Sequence, residues 1–202
     1  MALIDEGYTK YECEWRHGPP MPEATVAELN ACRNRLFDAG LVGHYAQHDV
    51  GFGNLSVRAS DGGFVISGTQ TGHIERTDAR HWSLVTGYDI GANRVTCEGP
   101  VQASSEALTH AAIYELDPGI QAIAHVHSDE LWRRLIARIP TTSRDVPYGT
   151  PEMAREFARL YRETGLAESR VAVMGGHEEG LVAFGRGIDE ATDRILSLRA
   201  GS

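Results

Sequence analysis

The chain has little cysteine. Cys13, Cys32 and Cys97 are odd in number and far apart, with no C-x-x-C spacing. That pattern argues against a disulfide framework and against a cysteine-built metal cluster, and leaves ordinary reduced thiols. No apolar run approaches the length needed to span a bilayer. The amino-terminal stretch MALIDEGYTKYECEW lacks the basic start and apolar run of a secretory signal, so a cytoplasmic home is expected. Positive charge is also scarce: 19 Lys and Arg stand against 28 Asp and Glu, a formal net charge of -9. This balance disfavours nucleic acid and anionic membranes as partners, and an anionic substrate would need a local device to attract it. Internal repeats and low-complexity linkers are missing too. A length of 202 residues suits one substantial core and is short for two domains.

Along the chain, residues 1–22 are polar and end in GPPMP, which reads as an extended arm preceding a domain over 23–202. Apolar spacing predicts a first helix from about Thr25 to Ala39, with Thr25 as a cap and Gly40 as a stop. Strand-like pieces follow at NLSVRA, GFVISG, HWSLVTGYDI and NRVTCEG, separated by D-G-G, T-G-H and G-A-N turns, which suggests an antiparallel meander. Then come a helix from Ser105 to Leu116, the strand IQAIAHVH, helices at Ser128–Ala137 and Pro151–Thr164, the strands RVAVMGG and GLVAFG, and a helix at Ile188–Leu198. The fold class expected is α/β or α+β layers around one mainly antiparallel sheet flanked by helices.

The stretch IAHVHSDELW carries the first chemical signal. Residues alternate faces along a strand, so His125 and His127 point the same way, and Ser128 can cap a helix opening with Asp129 and Glu130. Two imidazoles on one strand face make half of a metal site; alternatively, one is a satisfied core residue and the other lies at the surface. A catalytic zinc keeps three protein ligands. His177, in VMGGHEEGLVAFG, is the best third candidate because Gly175, Gly176 and Gly180 allow a tight turn between two strands; Glu178 and Glu179 are adjacent alternatives. Ser104 and Ser105 lie where a helix begins, a ready anion cradle, with Glu106 following as a first-turn acid. His110 reads as a buried hydrogen-bonding partner. The turns GFGNLSVR and ISGTQTGHI combine backbone N–H groups with Asn, Ser or Thr, the composition of an anion nest. HVHSD also opens like an H-x-H-x-D-H hydrolase signature, but Glu130 stands where its last histidine belongs.

The order of these pieces is more telling than any one of them. Asn54 with Ser56, the SGTQTG turn, Ser-Ser-Glu opening a helix, H-x-H ending the next strand and a glycine-flanked histidine some fifty residues on resemble the class II aldolase/adducin family, over about Thr25 to Leu198. The resemblance implies a zinc ion held by His125, His127 and His177, with Glu106 as the catalytic acid/base. It implies that Gly53, Asn54, Thr71, Gly72, Ser104 and Ser105 hold a substrate phosphate, with Ser67 and Gly68 as an alternative register. It further implies a homotetramer with active sites at subunit boundaries, and a lyase that cleaves or forms a C–C bond in a sugar phosphate through a zinc-stabilised enediolate. A 4-epimerase, a dehydratase or a metal-free adducin-like module are the alternatives. The sequence departs from the family at Glu178 and Glu179, where a glycine usually follows the third ligand. The aldolases' tyrosine from a neighbouring subunit has no clear match between Ile139 and Tyr148.

Overall fold

The computed structural model describes residues 9–60 and 62–200. Its first half runs β1 (Glu12–His17), α1 (Glu23–Asp38), β2 (Gly43–Tyr45), β3 (Val50–Phe52), β4 (Asn54–Arg58), β5 (Phe64–Ser67), β6 (Trp82–Asp89) and β7 (Arg94–Gly99). The second half adds α2 (Ala107–Leu116), β8 (Ala122–His127), α3 (Asp129–Leu135), α4 (Pro151–Glu163), α5 (Leu166–Ser169), β9 (Val171–Val173), β10 (Gly180–Gly185) and α6 (Ile188–Ala200). Residues 1–8 of the expected arm and Asp61 of the D-G-G turn lie outside the described residues.

The predicted meander is present as β4 to β7, and it lies between β1 and β8 in an eight-stranded sheet ordered β1-β7-β6-β5-β4-β8-β10-β9. Every pairing is antiparallel except β1 with β7. Part of the segment read as an arm is thus the sheet's first strand. ECEWRH gives little hydrophobic signal because five of its six residues are exposed at this edge. In that pair Cys13 and Cys97, remote in sequence, bring their unbonded thiols to 3.7 Å.

Helices cover both faces, as the fold class requires. One layer packs Val26, Leu29 and Leu36 of α1 and Ile188, Ala191 and Ile195 of α6 against Ala122, Ala124 and Val126 of β8. The other packs α2 and α4, through Ala107, Ala111, Met153 and Phe157, against Ile66, Ile123 and Val182. The strict alternation along β8 therefore assigns Ile123, His125 and His127 to the α2 side. Among the described residues no helix is long and apolar enough to cross a membrane.

Local chemistry sets the element ends. Ser128 accepts a hydrogen bond from the Leu131 amide and caps α3 as expected. Thr25 does not cap α1: the helix starts two residues earlier, with Pro22 at its N-cap position and no side-chain cap. Gly40 ends that helix in the left-handed region, at φ +70°.

Candidate metal centre

His125 and His127 end β8 in the middle of the sheet, where β4 and β10 flank them; Asn54 is the cross-strand partner of His125, and Gly180 that of His127. Both imidazoles are buried. His177 sits in the turn between β9 and β10, and the glycines before it are demanded by close approach. A Cβ at Gly176 would stand 1.9 Å from the Val146 carbonyl oxygen, so only glycine lets the chain pass beneath that loop. The turn delivers His177 to the strand pair: ring centroids lie 5.1 Å from His125 and 4.7 Å from His127. One nitrogen from each of the three histidines falls within 4.8 Å of the others.

The hydrogen-bond roles of these rings determine what they can hold. Nδ1 of His125 lies 3.1 Å from the Leu181 carbonyl, which only accepts, so this nitrogen carries the proton and Nε2 carries a lone pair. Nδ1 of His127 lies 3.3 Å from the Tyr45 hydroxyl, whose own proton goes to the Glu179 carboxylate. That nitrogen must donate too. The two Nε2 lone pairs then face each other at 3.1 Å, an arrangement that a shared cation resolves. Nitrogens on tetrahedral zinc stand about 3.3 Å apart, from bonds of about 2.0 to 2.1 Å, so the donor set fits such an ion. Electrostatics agree: burial drives His125 down to about 4, with Glu106 opposing and His177 adding to the shift. Burial likewise holds His127 well below its ordinary value. Neutral imidazole is the ligand form.

Glu106, a first-turn acid in the sequence, is buried. It occupies the N-cap position of α2, is 2% exposed, and sets Oε1 3.2 Å from Nδ1 of His177. Burial pushes its carboxyl up, but the close contact and charge at His177 outweigh that and keep it below the usual carboxylate range.

The same residue lines a small polar recess with Gly51, Gly53, Asn54, Gly68 to Gly72, Ser104 and Ser105. All six residues singled out for a phosphate are therefore brought together beside Glu106. Ser67 is not among them, since its hydroxyl accepts from the Leu55 amide between strands. Among the described residues the Asn54 side-chain oxygen, buried at the recess, has no hydrogen-bond partner. Behind the loop, the buried Arg33 guanidinium donates to the carbonyls of Thr71, Gly72 and Glu75 at 3.2, 3.1 and 3.0 Å. Burial lowers its pKa to about 10, which still leaves it charged.

Several participants escaped sequence reasoning. Tyr148 stacks on His177 with centroids 4.3 Å apart, and Phe52 lies 5.5 Å from His127. Tyr45 and Arg33 carry no motif that would betray them. His110, as expected, is a buried partner, bonded through Nδ1 to the Ser56 hydroxyl at 2.7 Å; Ser56 in turn meets the Tyr114 hydroxyl at 2.8 Å. Ser56 is thereby a structural residue behind the site.

Solved structures share this fold. YgbL of Klebsiella pneumoniae, a candidate aldolase/epimerase/decarboxylase, is 23% identical with a TM-score of 0.64, covering 88% of this chain and 86% of that one. L-fuculose-1-phosphate aldolase from Thermus thermophilus is 22% identical with a TM-score of 0.61, over 85% of this chain and 87% of that one. A sugar-phosphate aldolase from Thermotoga maritima is 19% identical with a TM-score of 0.65, over 87% and 90%. No curated protein sequence is similar enough to be matched. The sequence profile of the Class II Aldolase and Adducin N-terminal domain matches residues 29–200. With that match running from Leu29 in α1 to Ala200 at the end of α6, the chain belongs to the class II aldolase and adducin N-terminal domain family.

Proposed function

We propose that this chain is a metal-dependent aldolase that cleaves or forms a C–C bond in a sugar phosphate or related ketose. The observation that carries the reading is the position of Glu106, which lines the polar recess and also stands 3.2 Å from His177. A phosphate in the recess and a carbonyl at the three histidines would leave the carbon between them in reach of this carboxylate.

His125, His127 and His177 are the proposed ligands of a divalent ion, zinc in this reading. When bound, such an ion supplies a Lewis acid for the substrate carbonyl and for the negative charge that develops beside it. Glu106, held ionised, takes the proton from the carbon next to the carbonyl in the bond-forming direction and returns one to it in cleavage. Gly53, Asn54, Thr71, Gly72, Ser104 and Ser105 hold the phosphate. Arg33 answers the need for a local device in a chain of net charge -9, because its cation backs the carbonyls of the loop whose other side faces the recess. The same reading carries a homotetramer and a cytoplasmic location.

A second reading, a sugar-phosphate 4-epimerase or dehydratase, draws support from one observation: no tyrosine lies between Ile139 and Tyr148 to match the one the resemblance implies for aldolases. A metal-free adducin-like module would not need three buried imidazoles converging on one point beside a buried carboxylate. Metal analysis of the purified protein, combined with a screen of ketose 1-phosphates for release of dihydroxyacetone phosphate and an aldehyde, tests the proposal. Metal without any release favours the second reading, and absence of metal from protein purified without chelator rejects both.

A further inference from the structure

The short β2–β3 hairpin packs against His127. Its Tyr45 and Phe52 rings pack 4.4 Å apart, and Phe52 leans on His127 with centroids at 5.5 Å. The Tyr45 hydroxyl bridges two elements: it donates to Oε2 of Glu179 in the β9–β10 turn and receives Nδ1–H of His127, 3.3 Å away at the end of β8. Glu179 itself has φ +67°, the left-handed region that residues with a side chain rarely adopt and glycine enters freely. The turn around it is tightly made, with Gly180 N–H donating to the His177 carbonyl at 2.9 Å and Ser128 N–H to the Glu179 carbonyl at 2.9 Å. A side chain kept at a position whose backbone suits glycine calls for a use of that side chain. The carboxylate's bond to Tyr45 is that use.

We infer that Tyr45 and Glu179 form a relay that positions His127 as a metal ligand. Glu179 fixes the direction of the tyrosine O–H, the tyrosine oxygen then has only a lone pair to offer, and Nδ1 of His127 must carry its proton. Nε2 is left bare, its ring is locked in orientation, and its basicity rises through the chain of donors. Neither residue touches the ion; both act through His127. The inference rests on the three-histidine reading above, and it assigns a purpose to the second of the two acidic residues that stand between the third candidate ligand and Gly180.

The test is metal affinity, with no turnover needed. Full-length protein stripped of metal is titrated with zinc(II) or cobalt(II) against a chromophoric chelator, for the parent and for Tyr45→Phe, Glu179→Gly, both together, and His177→Ala. Tyr45→Phe and Glu179→Gly should each weaken binding by about 10- to 100-fold, and the double variant by no more than the worse single one, because one relay is broken either way. Metal-free Glu179→Gly should melt no lower than the parent, since glycine relieves the left-handed backbone. If Tyr45→Phe binds within about threefold of the parent while His177→Ala has lost the ion, the relay is refuted and the site stands. If His177→Ala binds as the parent does, the three-histidine site fails and takes the relay with it.

Discussion

Oε1 of Glu106 lies 3.2 Å from Nδ1 of His177, a contact between two side chains that are each almost fully buried. It joins the N-cap of α2 to the β9–β10 turn, so the proposed acid/base residue and the candidate ligand are held by separate elements. Glu106→Gln should therefore keep the metal, whose three nitrogen donors are untouched, and lose turnover. An amide of the same shape cannot accept the substrate's proton, and general acid-base groups contribute about 10²- to 10⁴-fold. Steady-state kinetics beside metal content checks both halves. Normal turnover would assign the proton transfer elsewhere.

His177→Ala should reduce bound metal from about one ion per chain to trace amounts after dialysis, because two imidazoles on one strand leave a divalent ion with too few protein ligands. Elemental analysis reads this directly. His44→Ala serves as the contrast: His44 pairs with Asp49 on the hairpin, outside the three-histidine group, and should not change metal content.

Arg33→Met should destabilise the protein by about 2 to 4 kcal/mol, because it strips a charged donor from three carbonyls in a buried setting. The recess loop should loosen with it. For a phosphorylated substrate KM should rise more than kcat falls, and urea unfolding with initial-rate kinetics would show both. A variant as stable as the parent would mean that the loop holds its shape without the guanidinium.

His110 predicts a pH dependence. Burial lowers it to about 3 in the folded chain, with nearby His125 lowering it further and Glu106 opposing, against about 6.5 in an unfolded one. Between these values the unfolded state binds the extra proton. Stability is therefore fully present above about pH 6.5 and is lost as pH falls toward 3, at up to about 1.4 kcal/mol per pH unit for this one group. In metal-free protein, His110→Gln should flatten the slope of unfolding free energy between pH 6 and 4. An unchanged slope would mean that His110 is not buried in its neutral form.

The parts of the molecule that were legible in the sequence are those governed by local periodicity. Alternation along IQAIAHVH is enough to set His125 and His127 on one face, the glycines around His177 mark a tight turn, and Ser104 and Ser105 mark a helix start. Glu106 shows the limit of such reading: its place at a helix start was legible, its burial was not, because the wall that buries it comes from β8 and the β9–β10 turn. Arg33 looks like an ordinary charged residue on α1, and only the packing of the recess loop on that helix reveals what it holds. Tyr45 lies in GHYAQHDVGF, which has no clear period, and its partners are 82 and 134 residues away. Contacts between strands that are neighbours in space but not in order leave no pattern in a single sequence.

The parallel pairing of β1 with β7 has a consequence for the order of folding. Glu12 and Arg94 are register partners although 82 residues separate them, whereas β4 to β7 pair each with the next along the chain. Loop closure favours the near pairings first. The earliest described strand must then wait for the meander, docking on an edge already formed and bringing Tyr11 to its bond with the Ser104 carbonyl at 2.7 Å, just before Glu106. The backbone ahead of the proposed acid/base residue is thus fastened late, by the earliest of the described strands.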